Sequence, residues 1–385
     1  IIAIVASGLL IAATGAATRK SNSFIRELNN SISVDSLPMS ALQELNFLKE
    51  TLPSITASDI TTSFNRNYAS ENRLIILEIP FHSDSLDKTG NAYRKLVKVP
   101  TEKELMGLVN AVENRLVGRL EIKERPKELL SITPIAGKIQ SQAQHEGTRV
   151  TTFKFDNGCS CHHKHMSYNK DAITVTLKFA GGLIEETVAN RGITDFAILP
   201  LRIPSTTKLT AIDIQKIMSG KKVRVSASAD RDSISIVING TMQHIEEGFK
   251  LVYLLIREAK IEEPIFNMMK QQVSQQLSRY DSSVDMQLMD TLGDRLSGGD
   301  VRFRLKTREQ VAKITITQAQ AWLNRILRNA PLEISAVGDI SKKHIEPLLN
   351  KYIASLKKRD PATQLARLDK LRQLKVQRTA IDEYI

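Results

Sequence analysis

Apolar residues recur at helical spacing over residues 21–31, 38–50 and 57–67, and a short apolar run over 73–79 between polar segments predicts a buried strand. A polar loop with Pro80, Gly90 and Pro100 follows. Thr101 and Glu104 then form a capping-box pattern at the start of a helix whose apolar face carries Leu105, Leu108, Val109, Val112 and Leu116. Residues 118–150 are charged at first, then rich in Gly, Gln and Pro without steady periodicity, which predicts a linker. From Val150 the pattern turns to strands. The signals are the turn Asp156-Asn157-Gly158, the run 172–179 closed by Gly181-Gly182, and strands 223–229 and 233–238 joined through Asp230-Arg231-Asp232. Helices are predicted at 209–218, capped by Thr210 and stopped by Gly220, and at 243–258, 262–280, 283–296, 315–328 and 341–355, with a strand at 332–337. This mixed order predicts an α+β fold, a sheet with helices packed on one face.

An internal repeat sets the domain count. At a constant offset of 259 residues, Ile55-Thr56 matches Ile314-Thr315, Asn65-Arg66 matches Asn324-Arg325, and the strand from Leu74 lies over one from Glu333. Both copies run from an Ile-Thr helix start through an Asn-Arg helix end to an apolar strand. The expected domains are therefore the closing part of one copy over 21–117, the linker over 118–150, one whole copy over 151–357 and the opening strands of a further copy over 358–385.

Composition narrows the function classes. The 385 residues, 42% hydrophobic and 25% charged, are enough for two globular cores. A net charge of +12 invites an anionic partner. The basic residues are dispersed, however, and the densest groups, Lys342-Lys343, Lys357-Lys358-Arg359 and the stretch from Arg367 to Arg378, lack interleaved aromatics. They read as solvated faces and not as a nucleic-acid surface. Residues 1–17 are free of charge before Arg19-Lys20. They fit a cut buried helix, a secretory signal lacking its basic leader, or an anchor slightly short of the roughly 20 apolar residues of a span. The last two readings point to a periplasmic, secreted or membrane-associated protein.

Several lines of sequence, in this order and spacing, resemble the repeat domain of the pitrilysin/insulinase family of zinc peptidases. They are KFDNG from Lys154, FAGGLIEE from Phe179, LTAIDIQKIMSGKKVRVSAS from Leu209, EEPIFNMMKQQVSQQL from Glu262, RFRLKTREQVAKITITQAQAWL from Arg302 and ISAVGDIS from Ile334. The resemblance implies repeated domains, each a mostly antiparallel sheet with helices on one face, in two halves that close like a clamshell around an unfolded peptide. Active members carry an inverted His-x-x-Glu-His motif and a later Glu that hold zinc with one position open to water. In the register set by Gly192, Asp195 stands at the first His, Ile198 at the general base and Leu199 at the second His, while Gln275 and Gln276 stand where the third ligand belongs. Aliphatic side chains cannot ligate zinc and neutral amides do so poorly. The resemblance thus implies no catalytic residue and no cofactor on this chain, with zinc on an absent catalytic half that would be its partner alongside a peptide substrate.

One other cluster could bind metal unaided. Cys159, Cys161, His163 and His165 share one face of an extended strand. Successive same-face positions lie about 6.6 to 6.8 Å apart, a line that cannot close a tetrahedron without a sharp bend, and the same spacing disfavours a disulfide between the two cysteines. Three functions follow: a non-catalytic chamber part of a zinc peptidase, a stand-alone binding or assembly module of the same fold, and a membrane-anchored metal-binding protein.

Overall fold

The computed structural model describes residues 21–68, 76–78, 82–86, 92–96, 98–115, 126–281, 283–297 and 305–373. The apolar opening segment lies outside them. Two compact units divide the chain, one of residues 46–124 and one of residues 1–45 with 125–385.

Helices α1 (Ser21–Ser33), α2 (Ala41–Thr51), α3 (Ala57–Asn67) and α4 (Glu102–Glu113) follow the predicted periodicity. Capping boxes start α3 and α4, Thr56 with Asp59 and Thr101 with Glu104, each satisfying backbone N–H groups that a helix start leaves open. Between them β1 (His82–Leu86) and β2 (Ala92–Leu96) pair as an antiparallel hairpin within the stretch read as loop. Of the strand expected at 73–79, only 76–78 are described, and they lie in no strand. Phe24, Ile25, Ile60 and Phe64 are exposed on α1 and α3.

The larger unit is built on a seven-stranded sheet of β3 (Ile139–Gln144), β4 (Thr151–Phe155), β5 (Ser160–His165), β6 (Ile173–Ala180), β7 (Val223–Ala229), β8 (Ser233–Gly240) and β9 (Leu332–Gly338). Their spatial order is β3-β4-β5-β9-β6-β8-β7, and β5 with β9 is the parallel pair in an otherwise antiparallel ladder. Alternation explains which face is covered. Phe153, Phe155, Cys161, Ile173, Val175, Leu177, Phe179, Ile334 and Ala336 are buried, while their neighbours Lys154, Thr174, Lys178, Glu333 and Ser335 are exposed.

The helices are α5 (Ile193–Ala197), α6 (Leu199–Arg202), α7 (Ala211–Met218), α8 (Ile245–Glu258), α9 (Glu263–Asp281), α10 (Val284–Leu296), α11 (Arg308–Lys313), α12 (Ile316–Asn329), α13 (Lys342–Tyr352) and α14 (Pro361–Arg372). Leu251, Val252 and Leu255 of α8, Leu323, Ile326 and Leu327 of α12, and Ile345 and Leu349 of α13 join the sheet's apolar face in one core. The observed class is therefore the expected one: α+β, mostly antiparallel, helices on one face.

Two stretches differ from expectation. Residues 139–144 lie in the predicted linker yet form the edge strand β3, because IQSQAQ buries neither face and so carries no alternation to read. Residues 361–372, expected as opening strands, are helical: Asp360 accepts from Thr363 N–H and Pro361 fills a first-turn position that needs no donor. Two ion pairs hold α14 to the sheet domain, Arg367 to Glu185 at 2.5 Å and Arg372 to Asp232 at 2.9 Å.

The start and end of the domain meet at one turn. Asn157 Nδ2 donates to Ile353 O at 2.7 Å and to Ala354 O and Leu356 O at 3.2 Å, while Asn157 Oδ1 accepts from Cys159 N–H at 3.1 Å. Gly158 follows at φ +83°, and a Cβ there would lie 2.7 Å from Arg359 O, so only glycine meets both demands. Arg359 corrects the solvated reading of its basic run. It is 5% exposed. Its guanidinium donates to Ala330 O at 2.6 Å and Leu327 O at 2.5 Å, at the C-terminal end of α12 where carbonyls lack helical partners and the helix dipole favours a cation.

Candidate functional site

The segment after β6 positions α5, which carries the candidate residue Asp195 and is followed by Ile198 and Leu199. Glu186, its side chain 1% exposed, accepts from Arg191 Nη1 and Gly192 N–H at 3.0 Å through Oε2 and from Thr194 N–H at 3.0 Å through Oε1. A carboxylate is thereby fixed at the helix start, matched to the partial positive charge there. Gly192 has φ +89°, and a Cβ on it would meet Lys306 Cδ at 2.7 Å. Lys306 therefore crosses directly over the turn into α5.

From this frame Ile193, Thr194, Phe196 and Ala197 point into the core, followed by Ile198 and Leu199, and the Phe196 ring lies tilted by 51° against that of Phe266 of α9, 5.3 Å between centres. Asp195 is the partly exposed member, and its carboxylate is ion-paired with the Lys306 ammonium. The first of the candidate positions thus holds a carboxylate already neutralised by a lysine; the next two, Ile198 and Leu199, are aliphatic and at most 1% exposed. Gln275 and Gln276 lie on the exposed side of α9 between the buried Val273 and Leu277. These residues do not fit a zinc ion. Two are hydrocarbon packed in the core, and the single carboxylate has a cation in place.

The Cys and His candidates lie on β5 and just before it. Cys159 and Cys161 are buried free thiols. His163 Nε2 donates to Ile340 O at 2.9 Å, and His165 Nε2 lies 3.3 Å from Asp339 Oδ1. Among the described residues no group of three His, Cys, Asp or Glu side chains converges to hold a metal ion.

Burial pushes the Cys159 thiol up to about 11 even with the Arg359 guanidinium beside it, and Cys161 up to about 12. At pH 8 the thiolate fractions are about 10⁻³ and about 10⁻⁴. Both cysteines are therefore expected to resist a thiol-specific reagent in the native protein and to react together once urea unfolds it. Rapid labelling of either in native buffer would contradict their placement.

No family model matches the sequence. The chain is 18% identical over 270 residues to the chloroplastic stromal processing peptidase of Arabidopsis thaliana, a match covering 65% of this chain and 21% of that protein. Among solved structures it superposes on the periplasmic protease PqqL of Escherichia coli with a TM-score of 0.56 at 14% identity, covering 93% of this chain and 38% of that one. It superposes likewise on a mutant of the ferredoxin protease FusC in complex with Arabidopsis ferredoxin, with a TM-score of 0.57 at 14% identity, covering 93% of this chain and 39% of that one. The chain has the pitrilysin-type peptidase fold. It spans about a fifth of the curated relative's length and under two fifths of each of the two structures. Within that pitrilysin-type fold, Glu186 and Lys306 are the residues the sequence did not single out. Glu186 sits inside FAGGLIEE in one of several acidic pairs near helix starts, and nothing in the sequence marks Lys306 as the partner of a residue 111 positions away.

Proposed function

We propose that this chain is a non-catalytic part of a two-part zinc peptidase, walling the chamber that takes in a peptide or unfolded protein while another half holds the metal. The observation that carries the reading is the Asp195 to Lys306 ion pair on a helix whose following positions, Ile198 and Leu199, are core. A lysine ammonium occupies the charge role that a metal ion would have there, so the helix is kept as architecture. In this reading residues 21–117 close one pitrilysin-type domain, 151–357 form a complete non-catalytic domain, and 358–385 lead into a further one. The partner is a half bearing His-x-x-Glu-His, on the same or a separate chain.

The purified chain, exposed to zinc and dialysed, is expected to retain only substoichiometric metal and to leave a quenched fluorescent peptide uncut. Together with a half encoded upstream that bears the zinc motif, it is expected to form a complex that cuts the peptide. Tight stoichiometric zinc in this chain alone would sink the proposal. A coding sequence complete near residue 1 with no zinc-bearing partner would move the assignment to a stand-alone assembly module.

A further inference from the structure

The β3–β4 hairpin, the end of β5 and the start of α13 meet at a cavity of about 390 Å³. Arg149, Lys342, His163 and His165 line it with the amides of Gln142 and Gln144, and no acidic side chain of the described residues does. The cations there are largely uncompensated. Arg149 and Lys342 form no ion pair among the described residues, and the Lys342 ammonium rests 5.9 Å from the centre of the Phe153 ring. His163 is 3% exposed and donates its Nε2–H to Ile340 O, so in the neutral ring Nδ1 carries a lone pair and adds no positive charge to the cavity. Asp339 meets His165 at 3.3 Å through one oxygen and accepts from Asp171 N–H at 2.9 Å through the other. Burial holds His163 below its ordinary pKa against the raising effect of its bond to Ile340 O, and the charges of His165 and Lys342 push it the same way as burial.

Two backbone features converge on the same place. Ser341, the N-cap of the 11-residue α13, makes no capping bond and instead meets His344 Nδ1 at 2.8 Å, so the Lys342 and Lys343 N–H groups keep their partial positive charge, while His344 N–H turns back to Ser341 O at 3.0 Å. Arg149 sits at φ +54°, a left-handed conformation whose ordinary occupant at such a hairpin turn is glycine. Arg149 is also among the residues that line the cavity.

We infer that this cavity is an oxyanion site, taking the phosphate or carboxylate group of a ligand between Arg149, Lys342 and the start of α13. Guanidinium, ammonium and helix N–H groups are the donors that such groups accept most strongly. The test is isothermal titration of the full chain with inorganic phosphate and, separately, acetate, each against chloride at matched ionic strength. Saturable phosphate binding is expected, weakened about tenfold in Lys342→Ala and in Arg149→Gly through loss of one charge-assisted bond. Arg149→Gly should at the same time unfold at a higher temperature, because glycine relaxes the turn; that separates lost binding from lost structure. Saturable acetate binding without phosphate binding supports the same oxyanion chemistry and assigns it to carboxylates. No saturable binding of either anion, or phosphate binding unchanged in both variants, overturns the inference.

Discussion

Replacing Glu186 with alanine is expected to lower the unfolding free energy by about 3–5 kcal/mol, read as a shift of the urea midpoint at unchanged slope. The Glu186 side chain is 1% exposed and answers three donors at once, Arg191 Nη1 and the N–H groups of Gly192 and Thr194, all at 3.0 Å. Alanine leaves two backbone N–H groups buried without an acceptor and removes one partner from the Arg191 guanidinium, 14% exposed. Glutamine is the informative second variant. It keeps one acceptor oxygen but turns an NH₂ group toward N–H donors, so it should recover only a part of the loss. A cost below about 1 kcal/mol for alanine would mean that α5 is set by its apolar side chains alone. The effect reaches beyond stability, since this carboxylate fixes the turn over which Lys306 crosses to Asp195. In the alanine variant the ion pair should loosen as well, so a further Lys306→Ala change should cost less there than in the parent protein.

What could be read from the sequence follows from which forces leave a local signature. The repeat pairs Ile55-Thr56 with Ile314-Thr315, and the structure gives both threonines the same work: Thr56 with Asp59 and Thr315 with Gln318 are capping boxes at helix starts. Capping chemistry is confined to four residues and is visible in a string of letters. The strands β4, β6 and β9 were equally legible because one face is buried and the other solvated, as Val175 and Leu177 against Thr174 and Lys178 show. Strand β3 left no such trace. Its side chains are nearly all exposed, and it exists because the backbone of β4 offers an edge, a tertiary fact with no periodicity of its own.

The candidate site divides in the same way. Asp195, Ile198 and Leu199 were found as departures from a pattern within a few residues. Lys306 acts across the fold, and no local pattern shows it. Arg359 was misread because its run of three basic residues looks solvated, whereas the third turns inward to the last carbonyls of α12.

Asn157→Ala should be the second costly change, at about 2–4 kcal/mol. The buried amide donates to Ile353 O, Ala354 O and Leu356 O beyond the end of α13, and accepts from Cys159 N–H. No other side chain of the described residues donates to those three carbonyls, and the turn is too close to Arg359 O at Gly158 for the chain to rearrange freely. The loss should be local as well as global, since the same turn presents Cys159 to the core. Thiol labelling in native buffer reports it: Cys159 should begin to react in Asn157→Ala while Cys161, central in the β4–β5–β9 pairing, stays protected. Equal labelling of both cysteines would indicate that the whole sheet opens and that the turn is not an independent latch. Labelling of neither, with a urea midpoint within about 0.5 kcal/mol of the parent, would mean that the Arg359 bonds to α12 hold the junction without Asn157.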